Sequence, residues 1–196
     1  MTAGKIIILV YPKGGNKRAP KILRKVLPLL NESKINFQII ETEYEGHAKK
    51  LAQGLDLNGI IGLCQIGGDG TFHELVNGVL TRQDGQQVPL GYIPGGTGNS
   101  FMYDLKCLEP VEAVKRIIVG ATKKIDVVEV KILNEKIYCI NIVGWAMVTD
   151  INSSAEKIRW LKGQRYNVMT IPVQSRNSYY SDLSPIGTNS RKANSS

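Results

Sequence analysis

Two glycine-rich turns, Gly67-Gly68-Asp69-Gly70-Thr71 and Ile93-Pro94-Gly95-Gly96-Thr97-Gly98-Asn99, each follow a short apolar run and precede a plausible helix start. A strand that ends in glycines and leads into a helix points backbone N–H groups and a helix N-terminus at an anion. Two such units in succession predict one polyphosphate gripped from two sides, and a nucleotide is the obvious candidate.

The rest of the first half fits the same plan. Lys5 to Val10 reads as a buried strand and Tyr11 to Asn16 as a turn, while Lys17 to Asn31 carries Ile22, Leu23, Val26, Leu27 and Leu30 at helical spacing. Pro28 should kink that helix in its last turn. Ile35 to Ile40 is a second strand, Tyr44 to Leu55 a second helix, Gly59 to Ile66 a third strand, Phe72 to about Leu80 a third helix and Pro89 to Ile93 a fourth strand. Strands that are apolar throughout and alternate with helices indicate a parallel α/β sheet. Ligands of such sheets bind beyond the carboxyl ends of the strands, where both glycine turns fall. The character changes near Lys123. Ile125 to Leu133 and Lys136 to Val143 read as a hairpin that begins a second, antiparallel unit, Ser153 to Leu161 is helical or turn-like, and periodicity disappears after Pro172. The expected organisation is an α/β nucleotide-binding domain over residues 1–122, the beginning of a β-rich second domain over 123–171 and a disordered tail over 172–196.

Charge narrows the partners without choosing one. The 196 residues carry a formal charge of +8. Basic residues cluster at Lys13, Lys17, Arg18, Lys21, Arg24 and Lys25, and again at Lys115, Arg116, Lys123 and Lys124. Such clusters suit anionic membranes or phosphate ligands, or are simply the solvated faces of helices. No basic strand interleaved with aromatics points to nucleic acid. No apolar run approaches the ~18 residues that a membrane-spanning helix needs, and no secretory leader is evident, so a soluble, intracellular chain is expected. Cys64 and Cys139 lie in apolar runs, and no Cys-x-x-Cys spacing suggests zinc.

The chemistry expected of the turns is specific. Glycine permits positive φ and close approach of phosphate oxygens, and Gly95, Gly96 and Gly98 would expose N–H groups. Asp69, framed by Gly67, Gly68 and Gly70, is placed to orient Mg2+, directly or through a water, or to accept a hydroxyl proton. Thr71 with Glu74 can be a ligand contact or a capping box, and the same pattern recurs at Thr42/Glu45 and Ser153/Glu156. Arg159 and Arg165 are suited to phosphate by their fork of donors, or are ordinary surface arginines. Gly-x-Gly-x-x-Gly, Walker, protein-kinase and Gly-x-Ser-x-Gly patterns are absent.

Ile66 to Glu74, then Asn77-Gly78, then Pro89 to Asn99 together resemble the diacylglycerol kinase catalytic domain family, which includes sphingosine and ceramide kinases and bacterial lipid kinases. Gly-Gly-Asp-Gly-Thr alone is shared with NAD kinases and phosphofructokinases; the paired motifs are specific. The resemblance runs from about Ile6 to Tyr166 and implies a parallel-sheet domain of the NAD kinase/diacylglycerol kinase type followed by an antiparallel β-sandwich. It implies an ATP- and Mg2+-dependent kinase that phosphorylates a lipid hydroxyl (diacylglycerol, sphingoid base or ceramide), cytoplasmic and peripheral to anionic membrane. Its ATP site would be lined by Thr42, Gly67, Gly68, Asp69, Gly70, Thr71, Glu74, Gly95, Gly96, Thr97, Gly98 and Asn99. Arg159 and Arg165 would contact phosphate, and Asp150 would meet the lipid substrate.

The chain departs from the family pattern at Tyr11-Pro12-Lys13-Gly14-Gly15, where an Asn would begin the turn, and at Asn152, where sphingosine kinases place a second aspartate. It also stops where the second domain should be getting under way. A catalytically incomplete nucleotide-binding fragment or regulator, and an NAD kinase-like enzyme, are therefore the competing expectations. A hairpin without its sandwich partners leaves apolar surface and strand edges open. The isolated chain is accordingly expected to self-associate, and a stable monomer by light scattering would overturn that.

Overall fold

Four of the apolar runs form one parallel sheet. The computed structural model describes residues 4–13, 17–132 and 135–140. Its elements are β1 (Lys5–Val10), α1 (Ala19–Glu32), β2 (Asn36–Glu41), α2 (His47–Gly54), β3 (Ile60–Gly67), α3 (Asp69–Leu80), β4 (Leu90–Pro94), α4 (Ser100–Asp104), α5 (Pro110–Val119), β5 (Val128–Ile132) and β6 (Glu135–Cys139). The sheet order is β2-β1-β3-β4 with every pair parallel, and β5 and β6 pair antiparallel in a separate sheet. The expected α/β class and the hairpin are both present.

Burial on both faces explains the unbroken apolar runs of β1 and β3. Side chains alternate across a strand, so Ile6, Ile8 and Val10 join Cys64, Ile66 and Ile93 in a core closed by Ile22, Val26 and Leu30 of α1 and Val114 of α5. Ile7, Leu9, Leu63 and Tyr92 face the other way, onto Ala48 and Ala52 of α2 and Phe72, Leu75, Val76 and Val79 of α3. Burial pushes the Cys64 thiol up to about 12, which keeps it protonated and inert.

Helix α1 carries on through Pro28 to Glu32; Pro28 is exposed, so the Arg24 carbonyl that its ring leaves unbonded can meet water. Two expectations need correction. Helix α3 begins at Asp69, three residues earlier than expected, because Gly68 is already extended and accepts the first helical bond from the Phe72 N–H at 3.1 Å. The helix start expected after the second glycine turn is α4, and α5 was not anticipated. The latter has recognisable punctuation, with Pro110 at its start and Gly120 at φ 71° after its end. Ser153 to Leu161 and the tail lie outside the described residues.

Two residues of the Asn77-Gly78 pair fasten α3 on two sides. A methyl at Gly78 would lie 2.5 Å from the Ala52 Cβ and 2.6 Å from the Lys49 carbonyl, so only glycine lets α2 and α3 pack this closely. The Asn77 amide imitates a strand neighbour. Its Oδ1 accepts the Tyr138 N–H at 2.8 Å, and its Nδ2 donates to the Tyr138 carbonyl at 2.8 Å and to the His73 carbonyl at 2.9 Å. The β5–β6 hairpin is thereby held against α3 through a buried amide.

Asn77→Ala should orphan both Tyr138 backbone groups and lower stability by about 1–3 kcal/mol. It should also accelerate amide exchange at Tyr138 ahead of the β1–β3 core. Unchanged exchange at Tyr138 would show that the hairpin does not depend on this contact.

Candidate functional site

The chain runs from β1 outward to β2, returns past β1 to β3 and continues outward to β4, so the connections reverse between β1 and β3. Open parallel sheets take ligands at the carboxyl end of such a reversal. The ends of β3 and β4 meet there in paired register, Gly67 opposite Pro94. Beyond them the two glycine turns are bonded to each other. The Gly67 carbonyl accepts the Gly95 N–H at 2.7 Å and the Gly96 N–H at 3.0 Å.

Those bonds revise the expected role of the glycines. Among the described residues, positive-φ glycines are Gly46, Gly59, Gly85 and Gly120, none of them in either turn. Close approach is the reason instead. A Cβ on Gly96 would run into the Gly68 Cα, and one on Gly95 would lie 3.1 Å from Ile22 Cδ1. Neither the Gly95 nor the Gly96 N–H is turned outward to an anion, as was expected; both close the gap between strands. Gly70 and Gly98 are exposed; a Cβ on Gly70 would meet open space, and one on Gly98 would touch Asp69 Oδ2 at 3.5 Å. The left-handed position of the second turn belongs to Asn99, at φ 55°. Its amide bonds Gly96 on both sides, accepting the N–H at 2.9 Å and donating to the carbonyl at 3.0 Å.

Asp69 crosses from one turn to the other. Its Oδ2 accepts the Ser100 N–H at 2.9 Å and its Oδ1 accepts the Phe101 N–H at 3.2 Å. The Tyr92 hydroxyl lies 3.3 Å from Asp69 Oδ1 and 3.1 Å from Asn99 Oδ1 and shares its one proton between them. Burial raises the Tyr92 pKa, and the Asp69 charge raises it further, so the phenol remains a donor. Beneath this network Phe72 lies with its ring centroid 4.8 Å from Tyr92 and 5.1 Å from Phe101. An aromatic cluster thus ties α3, β4 and α4 together under the carboxylate. Oδ1 is fully engaged, whereas Oδ2 keeps acceptor capacity for a cation, a water or a hydroxyl proton.

What remains open to an anion is the start of α3. The first N–H groups of any helix lack acceptors within it, and here they belong to the exposed or half-buried Asp69, Gly70 and Thr71. Among the described residues, neither the Thr42/Glu45 nor the Thr71/Glu74 capping box forms. The N-cap of α3 is Gly68 and that of α2 is Gly46, with no side-chain cap bond at either. Thr71 therefore sits within the first turn of α3, and Glu74 one turn further along, half-buried. His73 is half-buried, and desolvation followed by the Lys49 charge lowers its pKa, keeping the ring neutral.

Thr42 ends at the same edge of the sheet but two strands away, roughly 10 Å by ordinary strand spacing. It is buried, with its N–H on the Val10 carbonyl at 2.7 Å and its hydroxyl 3.4 Å from the same oxygen. Thr97 is exposed at the crest of the second turn. The structure so brings Gly67, Gly68, Asp69, Gly70, Thr71, Gly95, Gly96, Thr97, Gly98 and Asn99 into one locus, with Thr42 at its far side. Asp150, Arg159 and Arg165 lie outside the described residues. Among the described residues, no group of three or more His, Cys, Asp or Glu side chains could hold a metal ion. Sequence reading passed over Tyr92 and Gln65. Gln65 sits inside a run that reads as wholly apolar, yet its buried amide lacks any hydrogen-bond partner.

Comparison with known proteins gives the family and the fold. The diacylglycerol kinase catalytic domain matches residues 5–130. Sphingosine kinase 1 of Arabidopsis thaliana is 34% identical over 175 residues, which cover 84% of this chain and 36% of that protein. Sphingosine kinase 2 of Homo sapiens is 29% identical, covering 85% of this chain and 28% of that protein. A crystal structure of a diacylglycerol kinase from Bacillus anthracis superimposes with a TM-score of 0.56 at 30% identity, covering 65% of this chain and 44% of that one. The chain spans about a third of the length of these curated relatives.

Asp69→Asn separates bracing from chemistry. One of the two N–H groups, Ser100 or Phe101, would face an amide NH2 in place of an acceptor. Such a loss costs about 1–3 kcal/mol, and the denaturation midpoint of the ligand-free protein should fall accordingly. An unchanged midpoint would remove the bracing role.

Proposed function

The chain belongs to the diacylglycerol kinase catalytic domain family, and from that premise we propose that it binds Mg-ATP at its two glycine turns for phosphoryl transfer to a lipid hydroxyl. The acceptor class is a diacylglycerol, a sphingoid base or a ceramide. The observation that carries the reading is the bonding of Gly67 to Gly95 and Gly96, which leaves the start of α3 free beside a braced carboxylate.

In this reading residues 1–122 are the nucleotide-binding domain and residues 123–171 begin the second. The phosphate chain lies on the N–H groups of Gly70 and Thr71, fixed before the ligand arrives, with Gly95 to Asn99 as the wall beside it. Gly67 and Gly68 keep the cleft narrow. Thr42 meets the far end of the nucleotide, so one ligand must be extended to reach both. Glu74 lines the α3 side, and Arg159 and Arg165 neutralise phosphate charge. Asp150 meets the lipid headgroup.

A single carboxylate together with substrate phosphates is a common way to hold Mg2+, and the free capacity of Asp69 Oδ2 fits it. When bound, Mg2+ would neutralise charge building on the phosphates. The lipid hydroxyl oxygen forms a bond to the γ-phosphorus as the bond to the β,γ-bridging oxygen breaks and ADP leaves. Asp69 either orients the cation or receives the hydroxyl proton. Exposed Lys21, Arg24 and Lys25 on α1, with Lys13, Lys17 and Arg18 before it, form the face offered to anionic lipid. A basic residue near such a surface contributes about 1 kcal/mol. Among the described residues no helix is long and apolar enough to cross a membrane.

Calorimetry with Mg-ATP, run beside label transfer to diacylglycerol and to sphingosine in anionic vesicles and to NAD in solution, tests the reading. Saturable binding with label in one lipid is expected. Binding without transfer would favour a nucleotide-binding regulator, and label in NAD an NAD kinase-like enzyme. Absence of binding would overturn the site.

A further inference from the structure

Gln65 has no evident structural partner in the sheet. It stands in β3 between Leu9 of β1 and Tyr92 of β4, on the face that also carries Leu63. Its side chain is wholly buried, and neither Nε2 nor Oε1 has a hydrogen-bond partner. Buried amides are nearly always bonded, so an orphaned one needs a reason. This amide is directed along the strand toward the site. Its Oε1 lies 2.5 Å from the point where residue 67 would carry a Cβ, and Thr71 Oγ1 lies 3.1 Å from that same point. Glycine at position 67 leaves the Gln65 amide and the Thr71 hydroxyl bordering the same methyl-sized space, with no hydrogen bond between them. One belongs to the sheet and the other to the first turn of α3.

We infer that Gln65 is a positioning residue of the phosphate turn, its amide bonding the Thr71 hydroxyl when an anionic phosphate settles on the start of α3. A half-turn of the terminal torsion exchanges Oε1 and Nε2. With Nε2 in that position, settling of the first turn of α3 against the sheet lets the Nε2–H donate to Thr71 Oγ1, and the Thr71 O–H is directed outward to a phosphate oxygen. Each bond in such a chain polarises the next. An amide left unbonded without ligand, and bonded with it, favours the bound state. Gln65 acts through Thr71 and does not touch the ligand. The inference rests on the nucleotide reading given above.

Gln65→Met keeps approximate volume and removes both polar atoms, while Gln65→Asn keeps the amide one methylene short of Thr71. The Tm of the ligand-free chain and the Kd for Mg-ATP are measured for both, with wild type, Thr71→Val and the Gln65→Met/Thr71→Val double variant alongside. Gln65→Met should raise the ligand-free Tm yet weaken Mg-ATP about tenfold, which is about 1.4 kcal/mol. Gln65→Asn should lose affinity to the same degree, so the test survives if one variant fails to fold. The double variant should bind no more weakly than Thr71→Val alone, as groups acting in one relay are not additive. Affinity within twofold of wild type in Gln65→Met or Gln65→Asn, or additive losses in the double variant, would overturn the inference and leave the nucleotide reading intact. A fall in ligand-free Tm at unchanged affinity would mark a purely structural amide and overturn it too. A wild-type chain that does not bind Mg-ATP would overturn both.

Discussion

The Gly67 carbonyl is the point on which the site turns. It stands at the end of β3 and receives two N–H groups from the end of β4. Two loops that could each move independently become one backbone object. The Asn99 amide closes the second loop on itself, and the Asp69 carboxylate ties it to the helix that grows from the first. Connecting loops are ordinarily the most mobile part of an α/β sheet. These are ordered by bonds that do not involve a ligand, which reduces the ordering that a ligand must impose. The bracing uses the backbone of Gly67, Gly95, Gly96, Ser100 and Phe101 and the side chains of Asp69, Tyr92 and Asn99.

That division explains what could be read from the chain alone. The runs of β1 and β3 are apolar throughout because both faces are covered, and this is a local pattern. The glycine turns are local too, and their pairing was enough to indicate the family. The reason for the glycines was not local. Permissive φ and close approach leave the same letters in a sequence, and only the meeting of Gly68 with Gly96 distinguishes them. Thr71 and Glu74 sat at capping-box spacing, but the box presupposes that the helix starts at Thr71. The extended Gly68 starts it at Asp69, and the pattern loses its meaning. The hydrogen-bonding of Asp69 could not be foreseen, since its partners are Ser100 and Phe101, a strand and a turn away. Gln65 was overlooked for the opposite reason. One polar residue in a strongly apolar strand does not disturb the period, however unusual its surroundings. Helix α5 did carry visible start and stop residues, and there the signal was passed over.

The placement of the site follows from sheet order more than from any side chain. With β1 and β3 central, the reversal of connections opens a crevice at their carboxyl ends, and the outer strands contribute Thr42 from one side and the second glycine turn from the other. Core packing supports this region from below. Ile7 and Leu9 hold α2 and α3 on one face while Ile6, Ile8 and Val10 hold α1 on the other. The edge of the sheet is left to polar backbone.

Helix α3 is committed on all sides within a few turns. Asp69 reaches the second glycine turn, Phe72 enters the aromatic cluster, Asn77 clasps the hairpin and Gly78 admits α2. A segment so committed has little freedom to drift, because a change at one position alters the seating of the others. Helix α1, with its outward Lys21, Arg24 and Lys25, carries no such burden and can exchange charges one at a time. Divergence among chains built this way should therefore accumulate in what they present to a surface, while helix α3 is inherited as a block.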